Sequence, residues 1–135
     1  MAKLSETTER GLQILTEFQG KAAADTARAR IESGEIGAAQ TLFGIDNSFA
    51  GVWDRPGLDR RSRSLVTIGA LIAAGPSPEM EHHIKIGMVN GLKPRELEEA
   101  ITQLLPYIGF AKAGPAMAAL KEALKSKGIP LNTPT

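Results

Sequence analysis

The sequence predicts an all-α fold, a single-domain bundle of about six helices, and three observations carry that expectation. Apolar residues recur at three- and four-residue steps along most of the chain. No stretch alternates at period two, as a half-buried strand would. The breaks between periodic runs fall at glycine and proline. At 135 residues the chain fits one domain, and one core of that size buries roughly two thirds of the unfolded surface.

The elements follow in order. From Leu4 to Ser33 the positions Leu12, Leu15, Phe18 and Ala22 share one face, with charged residues between them: one amphipathic helix, or two broken at Gly20. Gly34 closes this region. Ala38 to Trp53 forms a second run through Leu42, Ile45 and Phe49, which ends before Arg55-Pro56-Gly57, where proline presets φ and glycine accepts a positive one. A third helix opens with Asp59 as N-cap, and its second half, Leu65 to Ala74, is apolar on all sides, which suits the centre of a core or a subunit interface. A fourth starts at Ser77 as N-cap with Pro78 at its first position, and Glu79 and Glu81 stand in the first turn, where the helix dipole favours negative charge. Gly91 ends it. Pro94 opens a fifth, with Leu97, Ile101, Leu104 and Leu105 on one face, and Pro106 predicts a kink or an early stop near Gln103. The last helix covers about Ala111 to Lys125, and a tail follows from Gly128.

Composition removes several kinds of chemistry. Without cysteine there is no disulfide, thiolate nucleophile, iron–sulfur cluster or cysteine-bound zinc. Sixteen basic residues against fifteen acidic ones leave no global field to attract nucleic acid or an anionic membrane. The longest apolar stretch, Leu65 to Gly75, is about half of a bilayer span, and no charged n-region with an apolar core opens the chain. The expectation is a soluble, cytoplasmic protein that binds neither nucleic acid nor membrane.

Chemistry concentrates between Trp53 and His83. Helical spacing places Met80, His83, Ile84, Gly87 and Met88 on one face, and His82 beside Lys85. Two readings of His83 stand at this point: a core histidine satisfied by a backbone carbonyl, or a proton donor or acceptor titrating near neutrality. A metal site would need further ligands converging on one point, and adjacent helical histidines diverge by about 100°, so none is expected. Arg55, Arg60, Arg61 and Arg63 cluster nearby; on a helix starting at Asp59, residues 60 and 63 share a face and 61 turns away. Cations at a helix start oppose its dipole, so either solvent or a bound carboxylate must compensate them.

The stretch Gly51-Val-Trp-Asp-Arg-Pro-Gly-Leu58, followed by Arg60, Arg63-Ser-Leu-Val-Thr-Ile68, Glu79 with His83, Asn90-Gly91, Pro94-Arg-Glu-Leu97 and Tyr107-Ile-Gly109, resembles the carboxymuconolactone decarboxylase family, in its decarboxylase branch. The resemblance covers about residues 40 to 125, leaving a helical arm over about 1–36 and a tail over 128–135 within one domain, 1–135. The broader superfamily is similar to the alkyl hydroperoxidase D proteins, which usually carry Cys-x-x-Cys-x-x-x-His. Here Pro76 and Glu79 stand at the cysteine positions and His83 at the histidine, which excludes peroxidase and disulfide-reductase chemistry.

The resemblance implies an alkyl hydroperoxidase D-like helical fold, assembled as a homo-oligomer, a trimer or hexamer, with pockets at subunit interfaces. It implies a carboxy-lyase that needs no metal or organic cofactor and converts 4-carboxymuconolactone, a lactone dicarboxylate, to an enol-lactone in aromatic catabolism. In that reaction Arg55, Arg60 and Arg63 would hold the retained carboxylate and the lactone oxygen. His83 would deliver a proton to carbon, and Trp53, Leu58, Ile86 and Tyr107 would supply apolar walls. Two alternatives accompany it: a relative acting on another lactone, enone or β-keto acid, and a non-catalytic ligand-binding oligomer. The chain departs from the family pattern at Gly51, where decarboxylases tend to carry glutamate before Val-Trp. Pro106 and Pro115 also fall in otherwise regular helices, and Gly87 opens space beside His83.

Overall fold

The computed structural model describes residues 3–134, and every regular element among them is helical. In chain order these are α1 (Glu6–Gln19), α2 (Lys21–Ser33), α3 (Ala38–Phe43), a π-helical segment (Gly44–Trp53), α4 (Arg60–Ala74), α5 (Pro78–Val89), α6 (Pro94–Ile108) and α7 (Phe110–Ser126). They separate into two compact units, Met1–Leu58 and Asp59–Thr135. No described helix is long and apolar enough to cross a membrane.

In the first unit, α1 packs against α2 and against the π-helical segment. Ser5 caps α1, its Oγ accepting the Thr8 N–H at 3.1 Å, and Gly20, at φ 94°, breaks the chain between α1 and α2 at the expected place. The buried Thr8 hydroxyl donates to Asp46 Oδ1 at 2.8 Å and so ties α1 to the π-helical segment. Leu12, Leu15, Ala24, Ala27 and Ile45 form the core. Gly11 is the point of closest approach: a Cβ there would lie 2.3 Å from the Ile45 carbonyl oxygen.

The expected run from Ala38 to Trp53 is continuous but not uniformly wound. Beyond Phe43 the backbone bonds shift to the wider i→i+5 pattern. Ile45, Phe49 and Trp53 recur every four residues, a step that fits either winding, so periodicity could not tell them apart.

The second unit is a helical hairpin, α4 and α5, covered by α6 and α7. Its core gathers Ile68 and Ile72 of α4, Met80 and Ile84 of α5, Leu97 and Ile101 of α6 and Ala116, Leu120 and Ala123 of α7. Each fully buried isoleucine contributes about 1.5–3 kcal/mol. Asp59 caps α4 as expected, Oδ1 accepting the Ser62 N–H at 2.9 Å. That bond is the main reason its carboxyl titrates below the ordinary range.

Three expectations are corrected here. Ser77 occupies the N-cap position of α5, but its side chain makes no capping bond. Of the two places expected for the apolar half of α4, the centre of a core does not hold for its whole surface, since Val66 is 66% exposed and the buried face is the stripe Ser64, Ile68 and Ile72; the subunit-interface alternative is untouched by this. Pro106 does not stop α6, which runs on to Ile108 and closes with the Gly109 N–H on the Leu105 carbonyl at 3.0 Å. The proline removes one donor in the last two turns, opposite the exposed Thr102, whose carbonyl water can satisfy.

Candidate active site

The second unit holds the groups from which a site can be built. On α4, residues 60, 63, 64 and 67 follow an i, i+3, i+4, i+7 pattern and share one stripe, while Arg61 and Leu65 lie on the opposite flank. Arg61 is ion-paired with Glu96 of α6, which removes it from the group formed by Arg60 and Arg63. On α5, Glu79, His83 and Ile86 share a stripe that continues to Asn90, just past the helix end.

Two contacts set the register of the hairpin. Asn90 Nδ2 donates to the buried Ser64 Oγ at 3.0 Å. A Cβ on Gly87 would meet Ile68 Cδ1 at 3.1 Å. The helices are therefore antiparallel, with Asn90 level with Ser64 and Gly87 level with Ile68. His83 lies seven residues back from Asn90, about 10 Å along the axis. Arg63 stands beside the Ser64–Asn90 bond, and Thr67 lies between Arg63 and the level of His83. The α4–α5 hairpin thus carries Arg60, Arg63 and Thr67 on one stripe of α4 and His83 on the antiparallel α5.

His83 is half-buried, and burial pushes its pKa below the ordinary histidine value. The negative charge of Glu79, one turn earlier, opposes that shift, and His82 adds slightly to it. His82 itself is exposed. Burial thus favours the neutral imidazole, and a bound anion would draw a proton onto it.

Other expected site residues stand differently. Ile86 is fully buried. Tyr107 is 78% exposed near the end of α6, a helix that packs on α4 and α7. Trp53, Arg55 and Leu58 belong to the first unit. Trp53 is buried there, its ring edge-to-face with Phe18 at 5.1 Å between centroids, while Arg55 and Leu58 are exposed in the turn that follows. Asp54 beside them accepts two hydrogen bonds from Arg10, at 2.6 and 3.0 Å. Gly51, where the family pattern has glutamate, is exposed in the π-helical segment, and a Cβ on it would lie 3.1 Å from the Asp46 carbonyl oxygen.

The space expected beside Gly87 is filled: Leu92 Cδ1 and Ile68 Cδ1 would stand 3.0 and 3.1 Å from its Cβ, so this glycine permits close packing and does not enlarge a pocket. Sequence reasoning also missed the Ser64–Asn90 bond. An asparagine before glycine at a helix end reads as a local cap, which hides a side chain reaching back 26 residues.

A sequence profile of the Carboxymuconolactone decarboxylase family matches residues 45–122, more than half of the chain. The chain is 41% identical over 78 residues to the 4-carboxymuconolactone decarboxylase of Acinetobacter baylyi, covering 58% of each protein. It is 34% identical over 73 residues to a nitrosuccinic acid decarboxylase of Metarhizium robertsii, covering 54% of this chain and 51% of that protein. The matches thus span little more than half the length of these relatives.

Proposed function

The chain belongs to the carboxymuconolactone decarboxylase family, and from that premise we propose that it is a cofactor-free carboxy-lyase acting on a lactone dicarboxylate of the 4-carboxymuconolactone type. The observation that carries the reading is the antiparallel α4–α5 hairpin, with Arg60 and Arg63 on one stripe of α4 and the half-buried His83 on α5; the groove between the two helices is the proposed substrate site. In the proposed reaction the bond from the ring carbon to the departing carboxylate breaks and CO2 leaves. The electron pair moves into the conjugated lactone carbonyl as a dienolate, and the imidazolium of His83 supplies the proton that restores a C–H bond. Arg60 and Arg63 hold the retained carboxylate by charge-assisted hydrogen bonds. The apolar surroundings of His83 favour a step in which a carboxylate's charge is dispersed. The substrate's own negative charge raises the lowered pKa of His83 on binding, so the proton arrives with the substrate. Contributions of Trp53, Arg55, Leu58 and Tyr107 rest on the family resemblance. Association of copies is part of the proposal, supported by the exposure of Val66 (66%), Tyr107 (78%) and Phe110 (79%).

A second substrate is favoured by one specific observation: the Metarhizium relative is named for nitrosuccinic acid. A nitro group accepts the electron pair of a departing carboxylate as a lactone carbonyl does, so the same groove serves any acid whose carboxylate sits next to such an acceptor. The absence of glutamate at Gly51 points the same way, toward a substrate other than the lactone. Purified protein is mixed separately with each compound and CO2 release is followed. Turnover of the lactone, reduced about 100-fold or more in His83→Ala, supports the first reading; turnover of nitrosuccinate alone supports the second. Failure with both, or full activity in His83→Ala, overturns the proposed role of the groove.

A further inference from the structure

Thr67 stands on the α4 stripe of Arg60 and Arg63 with a hydroxyl that its own helix does not use. Four other helical threonines, Thr16, Thr26, Thr41 and Thr102, each turn the hydroxyl back onto the carbonyl four residues earlier, at 2.9, 2.9, 3.2 and 2.8 Å. That is the ordinary resting place for a helical threonine. Thr67 makes no such bond among the described residues, although it is half-buried and sits mid-helix in α4. The neighbouring polar side chain on the stripe, Ser64, is occupied by Asn90. Register places Thr67 one turn beyond Arg63 toward the level of His83.

We infer that Thr67 is a substrate-binding residue, its hydroxyl donating a hydrogen bond to the uncharged acceptor oxygen of the substrate that lies between the carboxylate held by arginine and the carbon protonated by His83. This rests on the decarboxylase reading above and adds to it the group that receives the developing charge. That oxygen, of a lactone carbonyl or a nitro group, gains negative charge as CO2 leaves. A hydroxyl aimed at it strengthens its bond in the transition state, and the effect belongs in kcat more than in KM.

The test compares Thr67→Val, a near-isostere of similar helix propensity that lacks the hydroxyl, with Thr67→Ser, which keeps it. Both are assayed alongside wild type and His83→Ala on whichever of the two compounds the wild type consumes. Thr67→Val should lose on the order of 10- to 100-fold in kcat, with KM changed much less. Thr67→Ser should stay within about threefold of wild type, and the unfolding midpoints of both should match wild type. A Thr67→Val enzyme with wild-type kcat overturns the inference while leaving the decarboxylase reading intact, and so does equal loss in the serine and valine variants. No turnover of either compound by wild type removes both.

Discussion

Gly11→Ala offers a test in which the sign of the effect is at stake. Inside an isolated helix alanine is favoured over glycine by about 1 kcal/mol, so propensity alone predicts a more stable protein. The packing of the first unit predicts the reverse. A Cβ at position 11 would lie 2.3 Å from the Ile45 carbonyl oxygen and 2.7 Å from Ile45 Cγ2, about 1 Å inside ordinary contact. A side chain can rotate away, but a backbone carbonyl within a helix cannot, so α1 and the π-helical segment must separate. Overpacking costs about 1–3 kcal/mol when side chains yield, and a backbone clash takes the cost to the upper end or beyond, about 3–4 kcal/mol. After the propensity gain the net loss is about 2–3 kcal/mol. For a chain of 135 residues this lowers the melting temperature by roughly 6–12 °C. Thermal and urea unfolding followed by circular dichroism measure it. Gly69→Ala in α4, where a Cβ meets nothing within 4 Å, is the control and should stabilise by up to about 1 kcal/mol. If Gly11→Ala is as stable as wild type, the close approach of α1 to Ile45 is wrong.

Three further outcomes follow from the second unit. The pKa of His83 is lowered in the folded state, so its contribution to stability is complete above the unfolded histidine value of about 6.5 and is lost as pH falls below it through the folded pKa. In catalysis the same residue must be protonated to deliver its proton, so kcat/KM should fall with rising pH along a limb centred below 6.5, and the kcat limb should lie at higher pH because bound substrate favours the imidazolium. Activity that climbs with pH through this range would refute His83 as the acid. Asn90→Ala leaves the buried Ser64 hydroxyl without its donor and should cost about 1–3 kcal/mol in urea unfolding, with reduced kcat from the lost register of α4 and α5. Unchanged stability would show that the bond does not set that register.

Much of the fold was legible because its signals are local. The break at Gly20, the Asp59 cap, Pro78 at the start of α5 and Pro94 at the start of α6 each act through the dihedral angles or hydrogen bonds of neighbouring residues, and each stands where the sequence places it. Pro106 misled for an instructive reason: near a helix end a proline removes a bond that water can replace, so the rule that stops a helix in mid-course loses its force. The half-burial of His83 and the division of Arg60 and Arg63 from Arg61 were also readable, since helical spacing alone decides which residues share a stripe.

By itself, then, the sequence determined the helical class, most helix boundaries, the family and the residues able to do acid–base and anion-binding work. Tertiary structure alone decided how they are used. The close approach of α1 to Ile45 at Gly11, the filling of the space at Gly87 by Leu92 and Ile68, and the reach of Asn90 back to Ser64 are all of this kind. Each of these is a contact between groups far apart in the chain. Their distance is set by packing, and no local preference encodes it.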